Sequence, residues 1–221
     1  MSETYEDTNT VQIVGIVSKE KEFSHEMYGE KFYNMEVEVP RLSESMDLLP
    51  VTISERLLLN LDIKPGINVI IRGQLRSYNR FVDSYNRLIL TIFAREIKIP
   101  DEIDLEELRK KPNEIFLDGY ICKNPVYRVT PFGREISDIL LAVNRAYNKS
   151  DYIPSIAWGR NARFCENLLV GDHIRIWGRI QSREYQKRSN KNDIETRMAY
   201  EVSISKLEFI ENDNNRQEIE E

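Results

Sequence analysis

Only two cysteines and two histidines occur in the 221 residues, and their scarcity excludes several classes of chemistry. Cys122 and Cys165 form no closely spaced pair, so neither a zinc ribbon nor a thioredoxin-like dithiol is on offer. Both are read as buried thiols that pack as small hydrophobes. His25 and His173 are too few for a metal cage or a histidine-based catalytic machine, so no metal and no cofactor is expected. No apolar run approaches the roughly 18 residues that span a bilayer. Met1 to Thr10 is polar and acidic, unlike a signal peptide, which makes the cytoplasm the expected location.

Positive charge is also short overall, with a formal net of −6, but the deficit is uneven. Residues 1–112 carry −5, residues 113–206 carry +4 and residues 207–221 carry −5. A locally basic region beside an acidic tail is compatible with phosphate binding, because screening limits each contact to about 8–10 Å.

The sequence repeats itself over the length of a whole domain. An offset of 104 pairs Gly15 with Gly119, Gly29 with Gly133, Val39 with Val143, Arg41 with Arg145, Asp47 with Asp151, Pro50 with Pro154 and Arg56 with Arg160. After a one-residue slip, Gly66 meets Gly171, Gly73 meets Gly178 and Ser77 meets Ser182. A period this long signals duplication, not a solenoid of short units. The expected organisation is a first domain over 1–100, a linker over 101–112, a second domain over 113–210 and an acidic tail over 211–221. The linker is charged and bracketed by Pro100 and Pro112, and reads as a solvated connector in which Asp104 could cap a short helix.

Within each repeat the apolar residues recur with the strand period of two. In the second, Ile136 to Arg145 is apolar on much of both faces, Tyr152 to Trp158 is a strand, and a helix is expected from Asn161 to Leu168. His173 to Gly178 opens a further strand and Arg197 to Phe209 makes the last. The first repeat follows with strands at Val11–Val17, Phe32–Val39, Leu48–Ile53, Asn68–Ser77 and Arg87–Ile99, and a helix at Glu55–Leu61 capped by Ser54. Three strands, a short helix and two strands is the order of the OB-fold, so the expected class is all-β with two tandem five-stranded Greek-key barrels. Mid-strand Gly73 and Gly178 are read as the bends such a small barrel needs.

Three blocks of the second repeat, Ala142–Arg145, Asp151–Arg160 and Val170-Gly171-Asp172 through Gly178–Tyr185, resemble the bacterial single-stranded DNA-binding proteins. The resemblance runs from Asn113 to about Glu211, and is weaker in the first repeat through Gly73–Ser77. It implies that Tyr147, Tyr152, Trp158 and Tyr185 stack bases. An aromatic face accepts any base, which makes such binding sequence-tolerant. Arg145, Arg160, Arg179 and Arg183 lie in or beside the same blocks, where guanidinium groups suit phosphates, and Lys187 and Arg188 sit in a polar tip between the last two strands. Alternation alone leaves Tyr152 and Trp158 open between core and stacking, whereas Trp177 is read as packing.

The first repeat has Ser43, Leu48, Ser54 and Arg80 at the positions of the four aromatics, so structural or assembly duty is expected of it. Tyr78, Phe81 and Tyr85 with Arg76, Arg80 and Arg87 form an aromatic-basic hairpin tip there, either a secondary strand contact or else a dimer contact or exposed loop. The implied partner is single-stranded DNA, in replication, recombination or repair. The implied particle has four barrels, which two copies of this chain supply. The family's usual recruiting tip is not matched by Arg216 to Glu221, which puts the customary replication and repair partners in question. Catalysis is not expected, because Glu106-Glu107 and Glu220-Glu221 stand in a linker and a tail with no positioned base. A barrel of primosomal or phage type that chiefly scaffolds other proteins is the remaining alternative.

Overall fold

The computed structural model describes residues 8–211 apart from 42, 44, 83–84 and 191–192; the side chains of residues 82, 85, 103–104, 187–190 and 193–195 also lie outside the description. The N-terminal barrel contains β1 (Asn9–Val17), β2 (Glu22–Met27), β3 (Glu30–Pro40), β4 (Met46–Ser54), a 3-10 turn at Glu55–Leu58, β5 (Asn68–Val82) and β6 (Tyr85–Lys98). The linker carries α1 (Glu102–Leu108). The C-terminal barrel contains β7 (Asn113–Val129), β8 (Glu135–Arg145), β9 (Lys149–Trp158), α2 (Arg160–Cys165), β10 (His173–Asn190) and β11 (Asp193–Ile210). Among the described residues no helix is long and apolar enough to cross a membrane.

Each barrel closes through five pairings. In the first, β1 pairs β3 and β5, β3 pairs β4, β5 pairs β6, and a short parallel contact joins β4 to β6. In the second, β7 pairs β8 and β10, β8 pairs β9, β10 pairs β11, and β9 meets β11 in parallel. Closure removes the open edge from the barrel itself and seals alternate side chains inside. In the C-terminal barrel Leu141 and Val143 of β8, Ile153 of β9 and Ile174 and Ile176 of β10 are buried, as their period of two requires. The same alternation leaves Tyr152 and Trp158 of β9 facing out.

The glycine pairs occupy equivalent places. A Cβ on Gly73 or Gly178 would stand 2.2 Å from Phe93 O or 2.1 Å from Ser203 O, opposite matching β-bulges in which Arg95 of β6 and Ser205 of β11 are the extra residues. The bulge bends the strand so sharply that the facing backbone occupies the volume of a side chain. Several expected boundaries move. The first helix is one 3-10 turn capped by Ser54, whose Oγ accepts from Arg56 N, and α2 begins at Arg160, not Asn161, and stops at Cys165 instead of Leu168. Leu105 N donates to Asp101 O, so α1 starts before Asp104, which falls inside the helix and not at its cap. The β10–β11 ladder continues to Arg188–Ile194, far past the bulge, as a long hairpin arm where the sequence suggested a loop.

The two barrels join edge to edge. β1 pairs antiparallel with β7, and Val11 lies opposite Ile115, its own counterpart in the repeat. A pseudo-twofold axis therefore passes through that pair, and the contacts around it come in duplicate, as in an isologous dimer. Asp47, almost fully buried, accepts from Ser182 N at 2.7 Å and ion-pairs with Arg41 at 2.6 Å and Arg179 at 3.1 Å. Asp151, fully buried, accepts from Ser77 N at 2.7 Å and ion-pairs with Arg76 at 2.9 Å and Arg145 at 3.6 Å. Completing the symmetry, Leu48 N donates to Ser182 Oγ and Tyr152 N donates to Ser77 Oγ.

Candidate nucleic-acid interface

Three of the four predicted aromatics project from β9 and the turn before it. Tyr147 has a left-handed backbone (φ 63°), next to Asn148 (φ 52°), and this tight turn holds its ring 93% exposed. Tyr152 is 46% and Trp158 37% exposed, on the outer side of a strand whose inner residues Asp151, Ile153 and Ser155 are buried. The Tyr152 backbone is tied to Ser77 of the other barrel at 2.7 Å, and the Trp158 indole donates to Ser203 Oγ at 3.1 Å. The Trp158 ring and the Tyr152 backbone are thus anchored while both rings stay open, which favours stacking a flat ligand with little loss of entropy. Tyr185 stands apart on the hairpin arm of β10, half-buried in a cleft with Pro154.

The cations divide into two groups. Arg160 at the start of α2 and Arg183 on β10 are exposed. Arg145 and Arg179 instead spend their charge on buried Asp151 and Asp47 at the seam. Burial lowers the Arg179 pKa from its usual value, with neighbouring Arg41 adding to the effect and Asp47 opposing it. The side chains of Lys187 and Arg188 lie outside the described residues. In the N-terminal barrel Tyr78, Arg80 and Phe81 are exposed along the β5 arm, Arg76 is held by Asp151, Arg87 reaches Met198 O at 3.4 Å, and the Tyr85 side chain is not described.

Around the site, Glu135 is clamped by Arg163 at 2.6 Å and by the Tyr127 hydroxyl at 2.7 Å, which pulls its pKa down to about 2 and ties the β7–β8 hairpin to α2. Trp177 packs against Phe116 with ring centroids 5.0 Å apart, while Lys206 sits 4.3 Å over its face. Burial pushes the Cys165 thiol up to about 12, and Cys122 donates to Leu140 O. Among the described residues no group of three or more His, Cys, Asp or Glu is placed to hold a metal ion. Sequence reasoning missed Phe132, 91% exposed at the β7–β8 turn beyond the Trp158 end of β9, and its counterpart Tyr28 at the β2–β3 turn. The signal was available as an aromatic directly before a turn glycine in both repeats, Tyr28-Gly29 and Phe132-Gly133.

The sequence profile described as the single-strand binding protein family matches residues 112–210. Single-stranded DNA-binding protein 2 of Listeria monocytogenes is 31% identical over 113 residues, which are 48% of this chain and 68% of that protein. The chain belongs to this family. Single-stranded DNA-binding protein A of Bacillus subtilis is 30% identical over 109 residues, covering 46% of this chain and 61% of that one, so the chain spans roughly three fifths to two thirds of these relatives. The likeness in fold extends beyond the matched domain. The wild-type single-stranded DNA-binding protein from Thermus aquaticus superposes with a TM-score of 0.72 over 92% of this chain and 93% of its own, at 17% identity, so this single-strand binding family member shares its fold across both barrels. The N-terminal domain of a PriB protein from Thermoanaerobacter tencongensis is 55% identical, covering 42% of this chain, with a TM-score of 0.39.

Proposed function

We propose that the protein binds single-stranded DNA without sequence preference, in replication, recombination or repair, through the outer face of the C-terminal barrel. Tyr147, Tyr152, Trp158 and Tyr185 stack bases, and the exposed Arg160 and Arg183 hold the phosphates between them. The observation that carries this reading is the set of open rings on β9 and its preceding turn, with the Trp158 indole and the Tyr152 backbone held in place. Stacking at about 1–3 kcal/mol per base favours the unpaired strand, because a duplex hides its base faces. Arg145 and Arg179 serve the seam in this reading and not the ligand. The family name describes binding and not a reaction, and the cytoplasm is the proposed place of action.

The working particle is a homodimer with four barrels. A cavity of about 720 Å³ straddles the seam, with Arg72 and Arg95 on one wall and Phe116 and Trp177 on the other. A second copy turned over this face sets guanidinium groups against rings, a favourable cation–π arrangement. Two measurements test the proposal. Affinity for oligo(dT) exceeds affinity for duplex and falls with added salt as counterions are released; equal binding to duplex overturns the stacking mechanism. Light scattering gives twice the mass of one chain; a monomer at micromolar concentration overturns the assembly.

A further inference from the structure

The hairpin arms of the two barrels enclose a cleft of about 390 Å³, inside the roughly 300–1,000 Å³ range of ligand sites. One wall is β6 of the N-terminal barrel, with Arg87 and Leu88; the other is the C-terminal barrel, with Tyr185, Arg197 and Tyr200. Because Ala94 and Ile204 face the equivalent bulge glycines, Arg87 and Arg197 are counterparts, as are Leu90 and Tyr200. Equivalent stretches of the two repeats therefore face each other across this space, two arginines among them.

The charge in the cleft is only partly answered. Arg87 is half-buried, and among the described residues its contact is the Met198 carbonyl at 3.4 Å, which neutralises nothing. A guanidinium has five donors in a fixed fork that suits phosphate oxygens. Glu201 also lines the cleft, but its carboxylate accepts from Gln181 Nε2 at 2.6 Å. Tyr185 belongs both to this wall and to the aromatic set, which puts a candidate stacking ring and Arg87 on the lining of one cleft.

We infer that this cleft is a composite nucleic-acid subsite, in which Arg87 of the N-terminal barrel holds a phosphate of the strand whose bases stack on the C-terminal barrel. The inference rests on the proposed single-stranded DNA binding and gives the ring-poor barrel a part in it through charge. The test is fluorescence anisotropy with oligo(dT) of graded length at several salt concentrations, using the full chain, R87A and R87K. R87A is expected to bind the shortest oligonucleotides as the parent does, and to lose about fivefold once the strand is long enough to reach the cleft. Its slope of log K against log salt falls by about 0.7, one contact on a single strand, and R87K restores it. Equal affinity and slope for R87A and the parent at every length overturn the subsite and leave the proposed function intact. So does a uniform loss at all lengths with unchanged slope, which marks a structural role. Absence of binding by the parent chain overturns the proposed function itself.

Discussion

The two barrels share what holds them together and differ in what they present. The pairs Asp47/Asp151, Ser77/Ser182 and Gly73/Gly178 make matching contacts across or around the axis. On the outer faces the correspondence ends. Where the C-terminal barrel shows Trp158, the N-terminal one has Ser54, buried, hydrogen-bonded to Glu30 and capping the 3-10 turn. Leu48 stands for Tyr152, and the arm position of Tyr185 holds Arg80. A backbone bend or a buried carboxylate fails if either partner changes. A solvent-facing position tolerates almost any residue, so it is where duplicated halves part company.

The largest effects should be equal in the two halves. Removing the carboxylate of Asp47 or Asp151 leaves a backbone amide and two half-buried arginines unanswered, at a cost of about 1–3 kcal/mol each after solvent screening of the arginines, measured by denaturant unfolding of D47A and D151A. Markedly unequal losses would break the symmetry argued for the seam. Next comes a contrast. Y152A/W158A weakens oligo(dT) binding about a hundredfold, by the loss of two stacked bases, with an almost unchanged thermal midpoint; S43A/L48A in the N-terminal barrel leaves affinity within twofold. A collapse of folding in the first pair would make those rings core.

A smaller, pH-dependent difference follows from Glu135. Its pKa is lowered in the folded state to about 2 from the ordinary value of 4.5, so the clamp with Arg163 and Tyr127 stabilises the protein above pH 4.5 and is lost as pH falls toward 2. The midpoint advantage of the parent over E135Q, followed by calorimetry, should be full at pH 6 and shrink steadily below about pH 4.5. An advantage that is constant down to pH 3 would mean the carboxylate is not held this way. Smallest of all, F132A should lower affinity two- to threefold and Y28A not at all, because Phe132 lies beyond the Trp158 end of the aromatic line, whereas on the side of Tyr28 the places of Trp158 and Tyr152 are held by Ser54 and Leu48. A loss with Y28A would show the N-terminal outer face to be in use.

Much of this was legible beforehand, for identifiable reasons. Glycines at bends and the period of two in β9 are set by local sterics, so the repeat and the barrel order are legible directly, whereas alternation puts Tyr152 and Trp158 on one face of β9 without saying whether that face is core or solvent. The seam could not. An arginine facing a buried carboxylate and one facing water are spelled alike, so the sequence groups Arg145 and Arg179 with Arg160 and Arg183, and their partners in the fold separate them. Asp47 and Asp151 stood out as a repeated pair, but nothing in a sequence says that an acid is sealed between barrels. The arms of β5 and β10 were underestimated because polar residues exposed on both sides carry no alternation.

The β1–β7 junction has an evolutionary consequence. When two identical subunits meet on a dyad, every mutation strikes both halves at once, so neither can abandon a role that the assembly needs. Carrying both halves on one polypeptide lifts that constraint: each copy drifts alone while the junction guarantees one of each in every particle. A half without the four stacking positions can then be kept for its grip on the neighbour.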